Sequence, residues 1–279
     1  MVDNWEIFVT DVRGKTSVNL TRNPCSEFSP DWSRTGRWLA FVCGYGRSAG
    51  VYVMRVDRTV RRRVFPPRSG ERFFGGPVWA PDDRRLAVPR ETGIWVVDVD
   101  GSDLLRVSRG ADESPTWSAD GRWIAYERKR RGGSDIFKMR ANGTQDRRIA
   151  RDATGPAWSP DGRSIAVLKQ GSIWTMNPDG GSVRRVLRAR KGDPTDLAWS
   201  PDSRYLAYEV SSGNDAGVYL IALDSTFRRL VVGVADGGGI AWGPGLADAS
   251  VHHQESIGGK GIREWAAHAV SSAALRPHR

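Results

Sequence analysis

Histidine is nearly missing from this chain of 279 residues. There are four, at positions 252, 253, 268 and 278, so a His-based triad or a His-ligated metal would have to be assembled from the last stretch alone. His252-His253 reads as part of a solvated tail rather than as a metal pair. Only two cysteines are present, Cys25 and Cys43. No apolar run approaches the ~18 residues of a membrane helix. The opening "MVDNWEIFVTDV" has neither a basic n-region nor an apolar h-region, so no signal peptide is read; the chain is either cytoplasmic or lacks its leader. Lysine is rare, 6 against 36 arginines, within a net charge of +10. Such a bias follows codon composition as readily as function.

What the sequence has instead is repetition. "DWSRTGRWLAF" from Asp31, "VWAPDDRRLAV" from Val78, "TWSADGRWIAY" from Thr116, "AWSPDGRSIAV" from Ala157 and "AWSPDSRYLAY" from Ala198 are variants of one unit, with a decayed "AWGPG" at Ala241. The tryptophans at 32, 79, 117, 158, 199 and 242 are spaced by 47, 38, 41, 41 and 43 residues. A period near 40 with a turn in every unit marks a repeat architecture.

Each unit reads as four short strands. The first ends at Trp-Ser, and Pro-Asp-Gly or a variant turns the chain. An apolar burst such as "WIAYE" forms the second. The third carries Ile or Val followed by an aromatic: Ile7-Phe8, Val51-Tyr52, Ile94-Trp95, Ile136-Phe137, Ile173-Trp174 and Val218-Tyr219. Neighbouring strand residues point to opposite faces, so both faces of this strand are expected to be buried, as in a sheet packed between two others. Asp-Gly and Asn-Gly hairpins at Asp98, Arg140 and Asn177 lead to the fourth strand. The tryptophans are expected to wedge between sheets. The fold class is all-β, a six-bladed β-propeller of four-stranded antiparallel blades over residues 1–244. The first aromatic-bearing strand precedes the first Trp strand, so the N-terminal strands are expected to pair with the strand ending at Trp242 and close the ring.

The pattern P-x-W-S-x-D-G-R-x-I-A followed by D-I-F-x-M-x-x-x-G, spread over about residues 5 to 244, resembles the TolB-type family of β-propeller repeats. The resemblance implies the propeller, protein binding and an extracytoplasmic, bacterial setting. It covers the propeller part only: the N-terminal α/β domain of the full-length family members has no room here. Related propellers also precede the hydrolase domain of prolyl-oligopeptidase-like peptidases; that domain is not expected here, nor a G-x-S-x-G elbow anywhere in the chain.

Gly14-Lys15-Thr16 looks like the end of a P-loop, but Val9 stands where its first Gly belongs, so a hairpin is expected. Asp98 to Asp103 is rich in carboxylates but places its Gly wrongly for an EF-hand, so a turn is again expected. Arg61 to Arg63, Arg147-Arg148, Arg184-Arg185 and Arg228-Arg229 fall on outer strands, as edge protection or as a contact for an anionic partner. The loops entering each Trp strand carry Glu27, Asp112, Glu113, Asp152, Asp193, Asp196 and Asp236. They would share one face near the channel, either to receive a cation or basic peptide or simply to shape turns.

From Gly243 the pattern collapses. Residues 245–279 form a divergent tail in which Ile262, Trp265, Ala266, Ala269 and Val270 have helical spacing; a short helix and a truncated or misread gene end both fit. If Trp32 sits opposite Trp38, Cys25 falls opposite Tyr45 and Cys43 two residues from direct opposition, which permits a disulfide without requiring one. These features together predict a monomeric, non-catalytic scaffold for a protein or peptide, with no cofactor, metal, nucleic acid or membrane span. Two alternatives stay open: an enzyme, lyase or hydrolase, with channel carboxylates, and a ligand-sensing piece of a larger protein.

Overall fold

The computed structural model describes residues 5–11, 17–22, 25–44, 49–66, 75–188, 193–211, 215–224, 226–232, 239–243 and the backbone of 265–271. Regular structure among them is entirely β. The chain opens with β1 (Trp5–Asp11) and β2 (Ser17–Asn19). Five antiparallel blades of consecutive strands follow. They are β3 (Glu27–Trp32), β4 (Trp38–Cys43), β5 (Gly50–Arg55) and β6 (Arg61–Phe65); β7 (Val78–Trp79), β8 (Arg85–Arg90), β9 (Gly93–Asp98) and β10 (Leu105–Arg106); and β11 (Asp112–Trp117), β12 (Trp123–Arg130), β13 (Gly133–Arg140) and β14 (Arg147–Ala150). Then come β15 (Thr154–Trp158), β16 (Ile165–Lys169), β17 (Ser172–Met176) and β18 (Arg184–Leu187), and last β19 (Pro194–Trp199), β20 (Tyr205–Val210), β21 (Gly217–Ala222) and β22 (Arg228–Val232). The protein is an all-β propeller of four-stranded antiparallel blades.

Where six blades are expected, five are each drawn from one continuous stretch. The remaining four-stranded sheet is composite, in the order β2-β1-β24-β23, with β23 (Ile240–Gly243) and β24 (Trp265–Ser271) from the other end of the chain. The N-terminal strand does not pair directly with the strand of Trp242. β24 lies between them, with Phe8 opposite His268 and Trp242 opposite Ala266. Trp265–Ser271 is thus a strand where helical spacing suggests a short helix. β1 and β23 would otherwise each leave a row of amides and carbonyls without partners, and satisfying two sheet edges outweighs the helical preference of an Ala-rich run.

The repeated turn is built from its own side chains. Ser118 Oγ donates to Asp120 Oδ1 at 2.6 Å and accepts the Trp123 amide at 2.9 Å. The same arrangement joins Ser159, Asp161 and Ser164, and Ser200, Asp202 and Tyr205. Gly121 and Gly162 hold φ of 68° and 75°, the left-handed region that the turn requires.

The core lies between blades. Trp79 packs with Val42, Val53 and Leu86, Trp117 with Ile94 and Tyr126, Trp158 with Ala125 and Ile136, and Trp199 with Ile173 and Tyr208. Trp32 packs against Ile7, Val9 and Ala241 of the composite sheet. Each tryptophan therefore wedges its blade against the one before. In the third strands the Ile or Val is buried, as at Ile94, Ile136 and Ile173. The aromatic beside it is only half-buried, contrary to the expectation of two buried faces, because an arginine side chain rather than a second apolar sheet lies over it. Arg61 lies 4.8 Å from the Tyr52 ring, Arg185 5.5 Å from Trp174 and Arg228 4.6 Å from Tyr219. These outer-strand arginines thus pack on the blades as well as guarding their edges.

Candidate functional site

The innermost strands β3, β7, β11, β15, β19 and β23 contact one another in a closed circle around the axis. Within the first five of these, Trp and the residue two before it are turned into the core, as at Pro30, Pro115, Pro156 and Leu197, while Trp242 of β23 is half-buried. By strand alternation, the residues one and three before Trp lie on the opposite face of the blade, towards the next inner strand, and are mostly half-buried; Val78, Ala157 and Ala198 pack against the core beyond. In the slot before Trp stand Asp31, Val78, Thr116, Ala157 and Ala198. Three positions before it come small residues, Ser29, Ser114 and Gly155 among them, and then Asp196. That face, the wall between neighbouring inner strands, is therefore small and hydroxyl-bearing, with two carboxylates. None of the four strands β3, β7, β19 and β23 contains a basic residue.

Both wall carboxylates stitch neighbouring blades together. Asp31 Oδ2 accepts the Trp79 amide at 2.7 Å, and Asp196 Oδ2 accepts the Ile240 amide at 2.8 Å. Thr116 Oγ1 makes the equivalent bond with the Trp158 amide at 3.1 Å. Burial pushes Asp31 up to about 7, with Asp196 and Asp83 adding to the rise against the amide bonds from Trp79 and Trp32. Burial likewise pushes Asp196 up to about 6, against the amides of Ile240 and Leu197. Each residue keeps some exposure, yet loss of water dominates because the adjoining strands close over the carboxyl.

The loop acids expected to ring the channel mouth are mostly engaged within their own blades. Glu27 is fully buried and pairs with Arg61 at 3.0 Å. Asp112, 1% exposed, takes a bidentate contact from Arg128, which also reaches Asp146 at 2.9 Å. Glu113 meets Lys129 at 2.6 Å, and Asp152 pairs with Arg130. Asp193 is exposed, and Asp236 lies outside the described residues. Of the six described, only Asp196 is a wall carboxylate that stitches blades. Asp31, its counterpart, was not legible from loops, since it sits on a strand. Its signal was an acid in the slot where other repeats have Val, Thr or Ala.

Asp98 to Asp103 closes a hairpin in which Asp100 Oδ1 accepts the Ser102 amide and hydroxyl. Among the described residues no group of three or more His, Cys, Asp or Glu is placed to hold a metal. Gly14 to Thr16 connects the antiparallel β1 and β2, outside the described residues. A G-x-S-x-G string does occur once, Gly46 to Gly50, despite the expectation of no nucleophile elbow. It joins the antiparallel strands β4 and β5 rather than a strand and a helix, and Ser48 lies outside the described residues. Cys25 and Cys43 are joined in a disulfide with Cα atoms 5.8 Å apart. Cys43 stands opposite Glu27, so the bridge runs diagonally across two residues of register.

The profile of the family described as TolB beta propeller domain matches residues 2–246. A Tol-Pal system protein TolB from Anaeromyxobacter dehalogenans is 29% identical over 154 residues, covering 50% of this chain and 36% of that protein. The chain thus matches about a third of the length of that relative. Among solved structures, the putative TolB from Agrobacterium tumefaciens superposes with a TM-score of 0.77 at 16% identity, over 97% of this chain and 99% of that one. An oligogalacturonate lyase in complex with manganese gives 0.57 at 16% identity, over 89% and 80% of the two chains. At such identities the structural likeness is one of fold.

Proposed function

The chain belongs to the TolB β-propeller domain family, and from that premise we propose that it is a non-catalytic scaffold of the cell envelope that binds a protein or peptide at its axial face. Family membership is the observation that carries this reading. The Cys25–Cys43 disulfide supports an oxidising, extracytoplasmic compartment. The composite sheet serves as a sixth blade and closes the ring in a monomer; the packing of Trp32 on Ala241 supports this. The loop acids contribute to the fold rather than to the partner, and the exposed hydroxyls at the start of the inner strands, Thr154 and Thr195, are the contact surface. Affinity capture from native envelope extract tests the proposal. A saturable protein partner is expected, and placing arginine at the exposed Thr154 and Thr195 should abolish capture. Undiminished capture by a folded variant would put the contact elsewhere.

A second reading, an enzyme with channel carboxylates, is favoured by one observation: two acids of raised pKa on a single wall. It requires turnover of a substrate that Asp31→Asn abolishes, and capture of a partner without turnover would remove it.

A further inference from the structure

In each third strand the residue after the half-buried aromatic packs towards the tryptophan of the next blade. Val9 meets Trp32, Val53 meets Trp79, Val96 meets Trp117 and Leu220 meets Trp242. Thr175 fills the slot in the fourth blade. In β13 the slot holds Lys138, which is 5% exposed. An ammonium group is costly to bury, and five other blades show that the fold does not ask for one here. Departures from what a fold requires are expected at functional positions.

The repeat is broken on the other side of the same seam as well. In four hairpins the acid or amide of the turn serves its own loop: Asp57, Asp100, Asn142 and Asp224 each accept the amide and hydroxyl of the residue two further on. Asp179, between β17 and β18, is followed at that distance by Gly181, which has no hydroxyl and gives its amide to Asn177. The Asp179 carboxylate crosses the seam instead. Its Oδ1 accepts Lys138 Nζ at 2.7 Å and Arg147 Nη2 at 2.6 Å.

The seam does not depend on that ion pair. Gly180, at φ 91°, seats its backbone on the Ile149 carbonyl of β14 with no room for a Cβ. Gly101 and Gly143 approach Val64 and Val107 in the same way, where a Cβ would lie 3.2 and 2.6 Å from the carbonyl oxygen, at seams whose slot holds valine. Beside the ion pair a cavity of about 540 Å³ opens between the third and fourth blades, walled by Trp123 and Trp158 together with Lys138, Arg147 and Asp179. Lys138 Nζ lies 4.8 Å from the Trp123 ring. The other acids of the wall, Asp120 and Asp161, are bonded into their own turns. A salt bridge that served only to join blades has no use for this space.

We propose that Lys138 and Arg147 form a carboxylate-binding site at this seam, filled in the free protein by Asp179, and that an acidic side chain of a peptide replaces Asp179 with its stem along Trp123. Two cations converging on one oxygen define where a carboxylate oxygen binds, through charge-assisted hydrogen bonds. The Asp179 side chain is 71% exposed and turns out into water readily, whereas the Lys138 side chain, 6% exposed, stays behind to be neutralised. A free short-chain acid offers the same carboxylate without the stem.

A magnetic-resonance titration of the full chain, followed at the Trp123 indole, tests the site. The probes are the capped pentapeptide Ala-Ala-Glu-Ala-Ala, its glutamine counterpart and acetate. The glutamate peptide should saturate the shift and the glutamine peptide should not. Asp179→Asn removes a tethered competitor of millimolar effective concentration and should tighten binding roughly tenfold. Lys138→Leu, which installs the residue that the fifth blade carries in this slot, should abolish binding while the protein still melts cooperatively. No saturation in either the wild type or Asp179→Asn, or binding that survives Lys138→Leu, would overturn the proposal. Acetate binding as tightly as the peptide would overturn the peptide as occupant. Should Lys138→Leu fail to fold, Arg147→Ala on the exposed outer strand decides: unchanged affinity overturns the site.

Discussion

The carboxylate of Asp83 and the backbone amide of Arg34 lie 2.6 Å apart across the seam between the first two blades. The second carboxylate oxygen takes the Thr35 amide at 3.0 Å. Asp83 holds φ of 55° in the turn slot where other blades have Gly36, Gly121 and Gly162. In the fifth blade Ser203, at φ 59°, fills the same slot and its Oγ accepts the Asp161 amide at 3.0 Å. Non-glycine residues thus occupy a left-handed position where their side chains bind the preceding blade.

Asp83→Ala should lower unfolding stability by about 1–3 kcal/mol, because it removes the bonds and keeps the unfavourable φ. Asp83→Gly should cost roughly 1 kcal/mol less, since glycine relieves the backbone. Urea melts of the two variants decide it, and equal losses would remove the argument from strain.

Gly243, at the end of β23, has no room for a side chain: a Cβ there would lie 2.8 Å from the Trp32 ring. Gly243→Ala should therefore destabilise the fold by about 1–3 kcal/mol, and Trp32→Leu should recover part of that cost in a double-mutant cycle. Additive losses would mean that β23 and the first blade do not meet as described.

Asp112→Ala leaves Arg128 without its buried partner and should cost about 2–3 kcal/mol, as expected for a hydrogen bond to a charged group. The exposed Asp193→Ala should change stability by less than about 0.5 kcal/mol. Thermal melts of the pair separate structural acids from those free to meet a partner.

Reducing the Cys25–Cys43 bridge, or replacing both cysteines by serine, should lower stability by about 3 kcal/mol for a loop of 18 residues. Denaturant midpoints with and without reductant measure this. Mass spectrometry of protein purified without reductant tests the bridge itself, and two alkylatable thiols would contradict it.

The blades were legible because their signals are local. Ser118, Asp120 and Gly121 make a turn from their own atoms, and Trp117 needs only the neighbouring blade to pack on. Partner choice was not legible. Asp112 and Glu113 read as free loop acids because the strand pairing that brings Arg128 and Lys129 beside them is not visible in a single chain of letters. β24 escaped for a different reason: an Ala-rich segment satisfies helical spacing as well as strand spacing. Its signal was Trp265-Ala266-Ala267, an echo of Trp38-Leu39-Ala40 and Trp123-Ile124-Ala125, separated from Trp242 by an insertion where other blades have a short turn.

The position of β24 between β1 and β23 sets a timetable for synthesis. Each of the five continuous blades can pair its strands as they emerge from the ribosome. β1, made first, waits for a neighbour encoded some 250 residues later. At roughly 5–20 residues per second that wait is on the order of 10 to 50 seconds. Throughout it one edge of β1 offers unpaired amides and carbonyls to any other strand in reach. The nascent chain therefore passes through a long interval in which a chaperone, or a second nascent copy, competes for the place that β24 finally takes.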